Sequence, residues 1–194
     1  MSLSVKISDG NSKLGKVSNI SMTPIKACNN CAACKKSCYA LKAYRMYKAT
    51  KAAWDHNFSL ASKNRGEYFA SIDGYLRYKS PKLFRWHVAG DILDQDYLDS
   101  MITLAVKHPD TKFLCFTKMH HLNFGTVPAN LSIILSMFPT MKEPNRQGLS
   151  IAWMQDGTEK RIPDTFISCP GNCETCGLCF ELQTTHLDVV FNKH

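Results

Sequence analysis

The chain reads as an α/β fold, a partial or open (β/α) barrel-like parallel sheet with cysteine-rich loops at the C-terminal rim of its strands. Three observations carry that expectation. Short runs rich in β-branched and aromatic residues alternate with helical stretches. Most strands are separated by connections long enough to carry the chain back to the same end, as parallel neighbours require. Six or seven strands in 194 residues fall short of a complete eight-stranded barrel of about 250 residues. With 44% hydrophobic residues, residues 1–194 are expected to close one core and form a single domain.

The elements follow in order. Lys16 to Ile20 is a short strand that runs through Thr23 and Pro24 into a cysteine loop. A long helix is expected from Cys38 to about Lys63, and a second from Glu67 to Lys79, stopped by Ser80 and Pro81. Leu83 to Ala89 is a strand closed by Gly90, and Asp94 to His108 a helix ended by Pro109. Lys112 to Thr117, Leu131 to Met137, Leu149 to Met154, Thr165 to Ser168 and Leu187 to Phe191 complete the strands.

Met1 to Gly15 holds no apolar signal segment, and the longest apolar stretch, Leu131 to Phe138, is too short to cross a bilayer. The chain is therefore expected to be intracellular, with no membrane partner. In a reducing compartment its nine cysteines stay as thiols, free to bind metal.

Eight of those cysteines form two quartets. Cys28, Cys31, Cys34 and Cys38 are spaced C-x2-C-x2-C-x3-C, the ligand spacing of bacterial ferredoxins, with Tyr39 in place of the usual proline. Cys169, Cys173, Cys176 and Cys179 are spaced C-x3-C-x2-C-x2-C. Thiolates this close together suit soft metal centres. One or two [4Fe–4S] clusters are the leading expectation, with zinc as the alternative, although structural zinc usually takes two separate C-x2-C knuckles. A redox-active cluster would also need a reductant as partner. Cys115 stands apart in the strand Phe113 to Phe116, where a small buried hydrophobe is expected.

The charge is +8, from 24 basic and 16 acidic residues, which favours an anionic substrate or nucleic acid as partner. Lys35, Lys36, Lys42, Arg45, Lys48 and Lys51 lie close to the first quartet, interleaved with Tyr39, Tyr44 and Tyr47. This pattern fits an anion-binding surface and, equally, a solvated helix face. In the second long strand, Phe84, Trp86 and Val88 alternate with Arg85, His87 and Ala89. The apolar set should meet the helices, with Arg85 and His87 on the other face. There they would bind substrate together with Lys118 at the end of the next strand. An inward arginine needs an anionic partner, and Asp91 is one candidate. His120, His121 and Glu174 carry no spacing that marks a catalytic acid or base.

Cys34-x3-Cys38-Tyr39-Ala40, the run Phe84 to Asp91, Phe113 to Lys118 and the terminal quartet together resemble the bacteriophage gene product 88 family. More remotely they are similar to radical S-adenosylmethionine enzymes. The resemblance implies a phage origin, location in the cytoplasm of the infected host cell, an iron–sulfur site and a barrel-like fold. It also puts Gly90 and Asp91 where radical S-adenosylmethionine enzymes have a turn that meets the methionyl amine of the cofactor; a helix-capping turn accounts for the same residues. Three functions follow as expectations. The first is a radical S-adenosylmethionine-like enzyme acting on an anionic substrate. The second is a non-catalytic iron–sulfur protein, with a cluster for electron transfer or for structure, and the third a zinc-stabilised nucleic-acid-binding protein.

Overall fold

The computed structural model describes residues 4–29, 32, 34–155 and 162–192. Cys31, one of the first quartet, lies outside the described residues. Eight strands are present among them: β1 (Ile7–Ser8), β2 (Ser18–Ile20), β3 (Leu83–Trp86), β4 (Lys112–Thr117), β5 (Leu131–Met137), β6 (Ser150–Gln155), β7 (Phe166–Ser168) and β8 (Asp188–Asn192). They form one sheet in the order β1-β2-β3-β4-β5-β6-β8-β7. The two-residue edge strand β1 is antiparallel to β2, and every other pairing is parallel. β1 and β7 do not pair among the described residues, so the sheet is open.

The helices are α1 (Tyr39–Met46), α2 (Lys48–Lys63), α3 (Arg65–Lys79), α4 (Gln95–Lys107) and two single turns, α5 (Cys173–Cys176) and α6 (Leu182–Thr185). The long helix expected from Cys38 to Lys63 is two helices, because Tyr47 adopts an extended backbone, φ −114° and ψ 105°. Asn64 starts α3 by accepting the Glu67 N–H, and Asp94 starts α4 by accepting the Tyr97 N–H. Arg65 grips both oxygens of Asp94 at 2.7 Å, joining the heads of the two helices. None of the described helices is long and apolar enough to cross a membrane.

Strand alternation divides the sheet into two apolar faces. Phe84, Trp86, Phe113, Cys115, Ile133, Leu135, Ile151 and Trp153 pack with Tyr68, Ile72 and Leu76 of α3 and Tyr97, Leu98, Met101 and Leu104 of α4. On the opposite face Leu114, Ile134, Ala152 and Val189 pack with Leu14, Val17, Phe180 and Leu182. Much of that second face is covered by the segment that carries the terminal cysteines. Polar side chains secure the edges. Asn57 is fully buried and pairs with both the N–H and the carbonyl of Lys6 at 2.8 Å and with the Ser21 carbonyl at 3.0 Å, holding β1 and β2 to α2. Asp188 accepts from the Ile151 N–H, the Trp153 indole and Arg146, fixing β8 beside β6.

Strand β3 ends at Trp86, three residues before the end that the alternation suggests. Past it, Gly90 sits at φ +93°, and a Cβ there would lie 3.1 Å from the Met22 Cβ and 3.4 Å from that of Ala27. Only glycine meets both demands without strain. Gly90→Ala is therefore expected to lower stability by about 1–3 kcal/mol, read as a shift in the denaturation midpoint with an unchanged slope.

Candidate functional site

The first cysteine loop leaves β2 and is fastened to the chain beyond β3. The Met22 N–H donates to the Ala89 carbonyl and the Asp91 N–H to the Ala27 carbonyl, both at 2.9 Å, immediately before Cys28. Past Cys34 a short 3-10 turn, Lys35–Ser37, leads to Cys38 at the start of α1. The Tyr39 hydroxyl donates to the Val88 carbonyl at 2.5 Å, so the residue after Cys38 is tied to the same stretch. Burial of that hydroxyl raises the Tyr39 pKa, the charges of Arg85 and Lys118 oppose the rise, and the thiolates of Cys38 and Cys28 add to it. Cys28, Cys38, Arg85 and Lys118 therefore all lie within electrostatic reach of that hydroxyl.

Asp91, fully buried, organises that region. One oxygen accepts the Thr117 hydroxyl at 2.6 Å and the Ile92 N–H at 2.8 Å. The other accepts the Lys118 N–H at 3.0 Å and faces the Lys118 ammonium at 3.7 Å. Burial pushes the Lys118 pKa down, but Asp91, followed by the thiolates of Cys34 and Cys28, raises it above its ordinary value, so Lys118 is cationic. Gly90, set beside Asp91 by the resemblance, packs against Met22 and Ala27.

Arg85 and His87 part company. Arg85 is on the face of the second quartet, its guanidinium 5.0 Å from the centre of the Phe116 ring and its Nη1 3.8 Å from the Cys173 sulfur. Among the described residues no carboxylate pairs with it, Asp91 being taken by Lys118, and its buried Nε has no hydrogen-bond partner. His87 has φ +49°, which breaks the alternation and turns the ring to the helical face. There Nε2 is 3.0 Å from the Tyr97 hydroxyl, which donates to Tyr68 at 2.8 Å, and Nδ1 is 3.7 Å from the Cys115 sulfur. The expected shared face for Arg85 and His87 fails because regular pleating stops at Trp86. Cys115 is buried in the larger core, and burial followed by the Asp91 charge raises its pKa well above that of an ordinary thiol.

The second quartet starts at the end of β7, where the Cys169 N–H continues the ladder to the Val190 carbonyl. It does not stay at the strand ends. The Cys173 N–H donates to the Lys13 carbonyl and the Glu174 N–H to that of Leu14, while the Glu174 carboxylate accepts the Lys16 N–H at 2.9 Å. Gly15, at φ +69°, leaves room for this, since a Cβ there would lie 2.4 Å from that of Glu174. Cys176 and Leu178 then reach a groove formed with Lys82, Leu83, Asp110 and Lys112 at the beginnings of β3 and β4. The rim placement expected for this loop thus applies to its first cysteine, and the rest crosses the sheet because the Asn11–Gly15 turn holds it there. Cys169, Cys173, Cys176 and Cys179 line one recess with Ile167, Phe180 and Val189. Burial, then the charges of Cys169 and Cys173, push the Cys179 thiol up to about 12, with Arg85 pulling the other way.

Among the described residues, no three Cys, His, Asp or Glu side chains converge tightly enough to hold a metal ion as they stand. The thiols of the second quartet share a recess without being drawn onto one point. His120 bonds the Ser136 carbonyl at 3.0 Å and is half-buried, and His121 is exposed.

Residues 4–182 match the family described as Gene product 88. The chain belongs to that family. Its relatives include the Gene 88 protein of Mycobacterium phage L5, 26% identical with 75% of this chain and 74% of that protein covered. The Gene 88 protein of Mycobacterium phage D29 is similar to the same degree, with the same shares covered. No solved structure matches. A phage-type protein rich in cysteine is thereby established, while the remoter likeness to radical S-adenosylmethionine enzymes has no counterpart in these matches.

Within this gene product 88 chain, Thr117, Glu174 and Tyr39 hold the site together. The Thr-Lys strand end and the Cys-Tyr-Ala run hint at two of them. Glu174 gave no signal, because its partner is 158 residues away.

Burial depresses the His87 pKa to about 4, and the Asp91 charge only partly opposes this. The unfolded chain takes up a proton near pH 6.5 that the folded chain refuses. The stabilising contribution is therefore complete above pH 6.5 and is lost as pH falls towards 4, at about 1.4 kcal/mol per pH unit. Denaturant titrations across that range should show this slope, and His87→Asn, which tolerates a positive φ, should flatten it.

Proposed function

We propose that the protein is an iron–sulfur protein in which Cys169, Cys173, Cys176 and Cys179 hold a [4Fe–4S] cluster, serving electron transfer or structure. Cys28, Cys31, Cys34 and Cys38 are the candidate ligands of a second cluster. The observation that carries this proposal is the shared recess lined by all four terminal cysteines and faced by Arg85. A thiolate-ligated cluster is an anion in a partly apolar setting, and Arg85, a cation whose buried Nε has no partner and which pairs with no carboxylate among the described residues, supplies what such an anion requires. Lys118, itself paired with Asp91, adds a second positive charge close to Cys28 and Cys34. The loops would have to draw in around the metal, a movement that the coupling of metal binding to folding makes ordinary.

When bound, such a cluster supplies one-electron chemistry whose potential follows its charge, hydrogen bonds and exposure. Arg85 would raise that potential by stabilising the reduced, more negative state. Phe180, Ile167 and Val189 would exclude water. Lys112, paired with Glu181, braces the segment after Cys179 against the start of β4.

A radical S-adenosylmethionine-like reaction on an anionic substrate requires an open iron and free groups for the cofactor. Cys169, Cys173 and Cys176 carry the C-x3-C-x2-C spacing with which such enzymes hold three irons, but Cys179 lines the same recess as a fourth thiol. Both Asp91 oxygens are engaged by Thr117, Ile92 and Lys118. Of the proposed substrate-binding set, His87 is neutral at physiological pH and faces the helices, which leaves Arg85 and Lys118. The geometry thus favours closed clusters. Zinc would satisfy the same thiols and is separated by analysis.

Anaerobically purified protein should contain iron and acid-labile sulfide in equal amounts and give a cubane electron paramagnetic resonance signal on reduction that S-adenosylmethionine leaves unchanged. A signal altered by S-adenosylmethionine would establish an open iron and the enzyme instead. Stoichiometric zinc without sulfide would end the iron–sulfur proposal. In the same material Arg85→Met should keep its iron while its reduction potential moves on the order of tens of millivolts more negative.

A further inference from the structure

Between Gly10 and Trp54 the chain has nine Lys and Arg residues and no Asp or Glu, whereas the remainder has 15 basic and 16 acidic residues. The entire positive excess therefore belongs to the segment that holds the first cysteine loop and α1. Five of its cations, Lys35, Lys36, Lys42, Arg45 and Lys48, are exposed, and their side chains make no hydrogen bond or ion pair among the described residues. Lys51 is different, being paired to Asp55 at 2.6 Å. A run of unpaired like charges costs self-repulsion, which an anion would relieve.

Apolar rings share the surface with those charges. Tyr39, Met46 and Tyr47 are 68%, 59% and 58% exposed, three of the eight large hydrophobic side chains left open on the described chain, all within nine residues. A helix face that only needs solvation gains nothing from open aromatic rings. Tyr39 is held by the bond from its hydroxyl to the Val88 carbonyl, so its ring is positioned while its surface stays open. Tyr47 occupies the break between α1 and α2, flanked by Arg45 and Lys48, where its extended backbone interrupts the helix.

We propose that this surface binds single-stranded nucleic acid, with phosphates on Lys35, Lys36, Lys42, Arg45 and Lys48 and bases stacked on Tyr39 and Tyr47. Alternating cations and aromatic rings are the two elements such a strand requires, because its backbone is anionic and its bases offer their faces. A duplex hides those faces. An anionic lipid surface would meet the same charges, but two tyrosines and a methionine offer little apolar area for insertion. The residues to be altered, Lys42, Arg45 and Tyr47, lie outside both quartets, while Lys35 and Lys36 stand between Cys34 and Cys38 of the first.

Fluorescence anisotropy of the full-length, anaerobically purified chain with labelled oligothymidine and oligouridine of about 20 nucleotides tests the proposal and ranks DNA against RNA. Affinity should fall with salt at a log–log slope of about −3.5, the value for five phosphates on a single strand. The double variant Lys42→Glu, Arg45→Glu should bind at least about tenfold more weakly with a shallower slope. Tyr47→Ala should lose about 5-fold to 100-fold in affinity at an unchanged slope. All three positions are exposed, so iron content and the circular dichroism spectrum should match the parent. Failure to bind either oligonucleotide at low salt would overturn the proposal. So would affinities unaffected by the substitutions, preference for duplex, or capture by phosphatidylserine vesicles without oligonucleotide binding.

Discussion

The buried Asp91 carboxylate is the interaction on which the site depends. It lies just beyond β3 and binds the hydroxyl of Thr117 and the N–H and ammonium of Lys118 at the end of β4, while its own N–H secures the Ala27 carbonyl ahead of the first cysteine. One side chain and one amide thus hold two strand ends and the cysteine loop together. A buried ion pair repays its desolvation only when the remaining valences are filled, and losing one partner typically costs about 3–5 kcal/mol. Here the hydroxyl and two amide donors fill them. Glycine at position 90 follows from the same arrangement, since its positive φ and the close approach of Met22 and Ala27 both disfavour a side chain.

The two faces of the sheet have different work. Helices α3 and α4 bury Phe84, Trp86 and Phe113 on one face, a largely apolar contact that fixes the strands. The other face is narrower and is closed by the terminal segment, docked onto the Asn11–Gly15 turn through Glu174. Arg85 projects into that face, against Phe116 and the Cys173 sulfur. With no carboxylate paired to it among the described residues, an arginine is costly in such a place unless another anion meets it. The position of Arg85 next to thiols, rather than the thiols alone, is what supports the proposed metal–sulfur site.

The parallel sheet, its helical connections and most strand limits are legible from composition and periodicity. Lys112–Thr117 and Leu131–Met137 coincide with the expected strands residue for residue, because β-branched and aromatic runs between turn formers leave little choice of register. Where the periodic signal ends, legibility ends with it. The helix around Tyr47 reads as continuous, since no Gly or Pro marks the break. His87 continues an alternation in the sequence that the chain abandons at a positive φ. β1 is two residues long and exists through the Asn57 side chain, 51 positions distant. The cysteine quartets are conspicuous as motifs, but their path is not: long-range bonds to Lys13, Leu14 and Lys16 carry the second quartet across the sheet.

By itself the sequence determined the α/β class, the eight thiols in two quartets as candidate ligands and the concentration of positive charge near the first quartet. These rest on local pattern, on spacing and on residue type, which the linear chain displays directly. Tertiary structure alone decided that Asp91 is consumed by Lys118 and Thr117, that His87 and Arg85 lie on opposite faces, and that Arg85 meets the second quartet. Each of those outcomes turns on which groups exclude water from one another across tens of residues of chain, and a buried charge takes the partner that geometry brings to it, whatever its distance in sequence.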